Sequence, residues 1–117
     1  MEKGYLVVQT FLSEESFGVS NVLITLSDGR KLSTDENGFT EIAEFSTPNR
    51  EISMRPGEAV PYTNVSLTAE KEGYFTINLN GIQIFPTETT LQKIRMLPLP
   101  ENGGGGTLTF DLAPQNL

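Results

Sequence analysis

The sequence contains no cysteine and no histidine. Without cysteine there are no disulfides, no thiolate metal ligands and no cysteine nucleophile. Its absence leaves the compartment open, because bacterial surface proteins also do without it. Without histidine, the commonest general base near neutral pH and the commonest transition-metal ligand are missing. Ser-His-Asp catalysis, the usual zinc sites and facial-triad iron fall with it. No cofactor or metal is expected. Basic residues are also scarce, 8 Lys and Arg against 15 Asp and Glu, for a net charge of −7. An acidic surface repels phosphate backbones and anionic lipid, so a nucleic-acid partner is not expected. No apolar run approaches the roughly 18 residues of a membrane span, so no membrane insertion is expected. The opening "MEKGYLVVQTF" has one lysine, a short apolar run and no small-residue cleavage site, so it does not read as a signal peptide. The expectation is a chain kept in the cytoplasm, or one module of a longer protein.

What is there is a globular composition: 117 residues, 37% hydrophobic and 20% charged. That size reads as one domain, able to bury roughly 65% of its unfolded surface in a single core. The dominant period is two. "GYLVVQTFL" is β-branched and aromatic with apolar residues in both alternating sets, which reads as a strand. In "VLITLSDGRKLST", Val22, Ile24 and Leu26 alternate with Leu23, Thr25 and Ser27. Asp28-Gly29 then predicts a two-residue hairpin. In "YTNVSLTAEKEGYF", Val65, Leu67 and Ala69 alternate with polar residues before a Glu72-Gly73 turn. "FTINLNGIQIF" keeps one parity through Phe75, Ile77 and Leu79, then shifts to Ile82 and Ile84. One extra residue at Asn80-Gly81 restores the inward face, which predicts a β-bulge. "TTLQKIRMLPL" gives the last core strand, with Leu91, Ile94 and Met96 apolar. Strand-like runs spaced by turns, with no helical window, predict an antiparallel β-sandwich.

The stretch "LSTDENGFTEI" resembles a site at first sight, since Asp35, Glu36 and Asn37 stand together before Gly38. Asn37-Gly38 is a favoured turn pair, and an Asp at position 35 accepts a backbone N–H two residues on. An Asx-type turn leading into the short strand "FTEIAEF" is the bland reading. A calcium loop needs six or more oxygens at fixed spacing, and Phe39 follows where ligands should continue.

Residues 46–61, "STPNREISMRPGEAVP", hold three prolines and little periodicity, which predicts a long loop. It carries Arg50 and Arg55, candidate contacts for a carboxylate-rich partner such as a peptide stem, against the plain reading of solvated loop charges. Residues 101–106 end in four glycines, a linker by composition. "TLTFDLAPQNL" then alternates again, with Leu108, Phe110 and Leu112 on one side. The readings are a strand laid on an edge of the same chain, a strand laid on another molecule, or a disordered tail. The organisation expected is a sandwich over 1–100, a linker over 101–106 and a β-patterned tail over 107–117.

The order "GYLVVQTF", "GVSNVLITLSDG", "STDENGF", "VSLTAEKEGY" resembles the carboxypeptidase regulatory-like domain. Thr34, Asp35 and Gly38 match its turn, and Gly73 with Tyr74 its later strand end. Asn21-Val22 stands where the family usually has Gly-Ala. The resemblance covers about residues 4–99 and implies a transthyretin-like (prealbumin-like), seven-stranded Greek-key sandwich that is not catalytic, with the tail as an extra strand. A closer likeness, carried by "GIQIF" and the proline-rich end after "PLP", is to short proteins of spore-forming Firmicutes. Those accompany peptidoglycan-binding or spore-cortex proteins, which implies a cell-envelope or spore setting.

The leading functional expectation is therefore a non-catalytic module for protein interaction or spacing, its partner an unknown protein or cell-wall glycan. One alternative is carbohydrate binding, with Tyr62, Tyr74, Phe75 and Phe85 as stacking candidates, although strand aromatics are more often packing partners. Another is a subunit that assembles through its C-terminal strand, and the state expected of the chain is a monomer or a strand-exchanged oligomer. Catalysis is left with carboxylate pairs such as Glu14 with Glu15 or Asp35 with Glu36. Neighbours on a strand point to opposite faces, which suits neither acid–base work nor glycoside hydrolysis.

Overall fold

The computed structural model describes residues 2–12, 18–47, 62–100 and 105–112. They form eight strands and two facing sheets. In chain order these are β1 Glu2–Phe11, β2 Leu23–Leu26, β3 Lys31–Ser33, β4 Ala43–Thr47, β5 Thr63–Glu70, β6 Thr76–Ile84, β7 Thr89–Arg95 and β8 Thr107–Asp111. One sheet has three strands, ordered β4-β1-β7, and the other has five, ordered β3-β2-β5-β6-β8. The all-β sandwich read from the period-two pattern is the architecture that forms, with β8 as the added C-terminal strand.

Alternation decides which side chains meet between the sheets. Leu6 and Val8 of β1, Ile24 and Leu26 of β2, and Val65, Leu67 and Ala69 of β5 are all buried, as are Ile77, Leu79, Ile82 and Ile84 of β6. Ile94 and Met96 close the core from the end of β7. Leu91 has the opposite parity to Ile94, so it faces water at 49% exposure rather than joining the core. Full burial of an apolar side chain of this size is worth about 1.5 to 3 kcal/mol, and this layer is the main stabilising contribution.

Two local expectations meet the structure differently. The bulge stands where the parity shift put it. Val65 pairs with Ile82 while Leu67 pairs with Leu79, so β6 spends one residue more than β5 across this step. Asn80 and Gly81 absorb it, with Gly81 at φ 85°. The hairpin after β2 is a correction. Leu26 receives Gly29 N–H at 2.9 Å and donates its own N–H to Arg30 at 2.8 Å, so the loop is three residues, not two. With Gly29 at φ 94°, this is the turn-plus-bulge form of a hairpin. Asp28 favours it by accepting Arg30 N–H at 3.0 Å.

The ladders are mostly antiparallel, but β1 with β7 and β6 with β8 are parallel. The cause is the turn after β6. Thr87 N–H donates to Lys3 O at 2.7 Å and Tyr5 N–H to Glu88 O at 2.9 Å. These bonds carry the chain across to the other sheet, where β7 starts beside the start of β1 and runs with it.

The segment before β2 is held by buried threonines together with backbone bonds to Thr10 and Thr34. Thr34 Oγ1 donates to Val19 O at 2.6 Å and accepts Val22 N–H at 3.0 Å. Thr10 Oγ1 donates to the same Val19 carbonyl at 2.8 Å, and Thr40 Oγ1 accepts Val8 N–H at 3.0 Å. Gly38, at φ 84°, lies against this cluster, and a Cβ there would meet Thr10 O at 2.2 Å. Gly38→Ala is expected to cost about 3 kcal/mol or more, adding left-handed strain to a backbone clash. Gly29 is also at positive φ but faces open space, so Gly29→Ala is expected to cost only about 1 kcal/mol. Urea unfolding of the two variants side by side checks this, and equal losses would contradict it.

Candidate functional site

The acidic stretch at 35–38 is a turn. Asp35 Oδ1 accepts N–H groups from Asn37 at 2.8 Å and Phe39 at 3.0 Å. The Asp35 carbonyl accepts Gly38 N–H at 2.9 Å, and its N–H returns to Phe39 O at 2.8 Å. The carboxylate is committed to backbone donors, and Glu36 beside it is exposed. Among the described residues no group of three or more His, Cys, Asp or Glu side chains converges on one point. Glu14 and Glu15 lie outside the described residues, as do Arg50 and Arg55.

The tip of the β2–β3 hairpin carries the most organised charges. Arg30 Nε donates to Asp28 Oδ2 at 2.8 Å, and the guanidinium stands 4.4 Å from the centre of the Phe45 ring on β4. The arginine thus bridges the open end of both sheets. Its backbone N–H and its side chain hold the Asp28 carboxyl below the usual aspartate range. On the three-stranded sheet Lys3 Nζ pairs with Glu44 Oε2 at 2.9 Å, both well exposed, and the lysine is pushed up by that hydrogen bond.

The four aromatic candidates do not form one platform. Tyr62 and Phe85 meet at 5.7 Å between ring centres, tilted by 55°. Tyr74 and Phe75 pack on the core at the start of β6, whereas Phe85 follows its last residue. The nine residues of β6 therefore stand between the two pairs, about 30 Å of strand.

The tail residues Leu108, Phe110 and Leu112 sit on the core side of β8, opposite Ile77 and Leu79 of β6. Leu108 and Leu112 pack against the core margin. Phe110 is 47% exposed because β8 extends beyond the three strands of the facing sheet.

Two further surfaces escaped the sequence reading. The outer face of the five-stranded sheet is almost free of charge at its centre. A row runs across it through Thr25, Thr68, Asn78 and Thr109. Thr68 Oγ1 donates to Asn78 Oδ1 at 2.8 Å, and Asn80 Nδ2 donates to Asp111 Oδ1 at 2.8 Å. A shallow groove of about 310 Å³ lies over Thr25, Ser66, Thr68, Asn78 and Asn80. Its signal was present in the off-core phase of β5, β6 and β8, which is Ser, Thr and Asn nearly throughout. The second surface is the outer face of the three-stranded sheet, where Leu91 lies opposite Val7 and Ile42 is 65% exposed nearby.

With this geometry in place, the fold is similar to those of several solved structures, among them two bacterial proteins. One is the TIE protein of Bacillus anthracis, at 12% identity and a TM-score of 0.55, covering 84% of this chain and 17% of that one. The other is GBS52, the minor pilin of the Gram-positive pathogen Streptococcus agalactiae, at 13% identity and a TM-score of 0.54, covering 85% of this chain and 46% of that one. The chain therefore spans less than half the length of either. At such identity the likeness is one of fold, the β-sandwich class. No protein-family model matches the chain, and no curated protein matches its sequence. The carboxypeptidase regulatory-like resemblance thus gains no match of its own, and what is shown is the broader sandwich class.

The Asp28–Arg30 contact gives a signed pH effect. The folded-state Asp28 pKa is depressed, so its contribution is present above the unfolded aspartate value of roughly 4 and disappears as pH falls through the folded one. Both side chains are more than a third exposed, which limits the effect to under about 1 kcal/mol. Asp28→Asn should lower the urea midpoint at pH 7 and match the parent at pH 2. A gap that survives at pH 2 would contradict this.

Proposed function

We propose that this chain is a non-catalytic spacing and contact module of a cell-envelope protein. The observation that carries the reading is the pairing of β1 with β7. The two strands lie side by side and parallel over Tyr5–Phe11 and Thr89–Arg95. The start of β1 and the end of β7 lie at opposite ends of this ladder. Tension applied there loads the ladder along its length, so its hydrogen bonds share the force instead of opening one by one. The core behind it is apolar packing, and the carboxylates at 35–36 serve a turn or face water. The sandwich class shared with a minor pilin and the TIE protein supports this reading. The envelope setting rests on that likeness and on the spore and peptidoglycan association carried by the sequence resemblance.

Stretching the chain between residues before Glu2 and after Leu112 tests it. The end of β8 lies toward the start of β1, so β8 is pulled off β6 one bond at a time. We expect a low-force event that releases β8, adding at most about 40 Å of chain, then a separate high-force event for the β1–β7 ladder. A single low-force unfolding would overturn the reading.

The groove on the five-stranded sheet favours a second reading, glycan contact through uncharged hydroxyl and carboxamide groups rather than stacked rings. Muropeptides at millimolar concentration should then shift the side-chain amide signals of Asn78 and Asn80. An unchanged spectrum removes this reading and leaves the first.

A further inference from the structure

The two sheets leave four edges, at β3, β8, β4 and β7. Three of them carry devices that discourage pairing. β3 is three residues long and begins with Lys31. β7 carries Lys93 and Arg95 on its exposed side. On β4 the Ser46 carbonyl already accepts the Thr63 hydroxyl at 2.9 Å. β8, "TLTFD", has five residues, no lysine, no proline and one charge.

The direction of its backbone groups follows from the bonds that seat it. Thr76 N–H donates to Gly106 O at 3.2 Å, and Leu112 N–H donates to Asn80 O at 2.9 Å. Even-numbered residues of β8 therefore turn their backbone toward β6. Odd-numbered residues, Thr107, Thr109 and Asp111, turn theirs away. No described residue pairs with that outer side. On the core side of the same edge Phe110 is half uncovered.

We propose that the β8 edge is a self-pairing surface whose partner is β8 of a second copy of this chain, antiparallel about a two-fold axis through Thr109. The sequence of β8 is self-complementary in this register. Thr109 faces Thr109, and Thr107 faces Asp111 at each end, all in the hydrogen-bonded class of pair that outward-facing backbones require. On the core side Phe110 of each copy lies opposite Leu108 of the other, an aromatic–aliphatic cross-strand pair that covers the exposed ring. The two Asp111 side chains stand at opposite ends of the ladder, about 13 Å apart by strand rise, beyond the screening length at physiological salt. Sliding one strand two residues in either direction cuts the overlap of Thr107–Asp111 from five residues to three, and sliding it further until Asp111 faces Asp111 would oppose like charges. The joined structure continues the five-stranded sheet of each copy into the other without detaching β8 from β6.

The contact area of a five-residue strand pair is below that of a standard interface, so the affinity is weak, with dissociation in the range of about 10 to 1000 μM. Each copy carries −7, so added salt strengthens the association by screening their repulsion.

This inference deepens the contact half of the proposed function by naming the partner. A chain that stays monomeric yet still shows the high-force β1–β7 event would sink the inference and leave the spacing role standing. The test is amide hydrogen exchange on the unaltered chain at about 20 μM and about 1 mM in 0.5 M NaCl, with sedimentation equilibrium over the same range. We expect a monomer–dimer equilibrium, with the Thr109 and Asp111 amides slowing about two- to sixfold on concentration across that affinity range. Leu108 and Phe110, already bonded to β6, should change little. Thr109→Pro removes an outward N–H and no bond to β6, and should weaken dimerisation at least tenfold while the Asn78 and Asn80 amides stay protected. A monomer throughout, exchange at Thr109 that ignores concentration, or a dimer abolished by Ile42→Lys instead, would each overturn the proposal.

Discussion

The crossing from β6 to β7 is the constraint on which the rest of the structure depends. Two backbone hydrogen bonds, from Thr87 N–H to Lys3 O and from Tyr5 N–H to Glu88 O, fix that turn against the first strand. The approach is so close that a Cβ on Gly4 would stand 2.4 Å from the Phe85 carbonyl. Because the chain changes sheets there, β7 lies parallel to β1 and completes the three-stranded layer. A simple hairpin would have put β7 beside β6 and filled the edge that β8 takes. The parallel ladder, the in-line path of the chain and the free edge at β8 share this one cause.

A second constraint is that a buried donor or acceptor is costly unless paired; among the described residues three of the four buried threonines meet it, and Thr47, whose hydroxyl has no partner there, does not. Thr10, Thr34 and Thr40 are buried; the first two hydroxyls add to the backbone bonds of the irregular segment before β2, and the third ties Val8 of β1. Val19 O takes two of them. The threonine, aspartate and glycine of the 34–38 motif therefore have separate tasks: an interior tie, a turn acceptor and a space into which nothing larger fits. None of those tasks needs a ligand, which is why a stretch with the look of a binding loop is an element of the fold.

How much of this was legible in the sequence varies by element. The bulge at Asn80-Gly81 was, because a parity shift from Leu79 to Ile82 has only one remedy when both residues must face inward. The Asx turn was, because its geometry is local. The hairpin length was not, since Asp-Gly serves two-residue and three-residue loops alike and only the pairing of Leu26 with Arg30 chooses. The parallel ladders were not, since alternation reports which face a residue takes and not the direction of its neighbour. Leu91 was misjudged as a core residue by its type, although its parity relative to Ile94 already placed it outside. The candidate contacts divide in the same way. Leu108 and Leu112 follow the alternating pattern into the core margin. Phe110 follows it too, yet is left half covered because the facing sheet is narrower, a property of the two sheets together and of no single segment.

The unequal widths of the sheets also explain why the two outer faces differ. The five-stranded face has a wide interior of its own to drive its formation, so its outer residues are free to be Ser, Thr and Asn that bond to one another across strands. The three-stranded layer has fewer strands to cover its side of the core, and its outer face keeps Val7, Leu91 and Ile42 in or near one row. Single exposed apolar residues are ordinary on a protein surface. An apolar row on the narrow sheet, a neutral face on the wide one and an unguarded edge between them offer three chemically distinct surfaces to other molecules. The interior between the sheets, filled by apolar packing, is not among them.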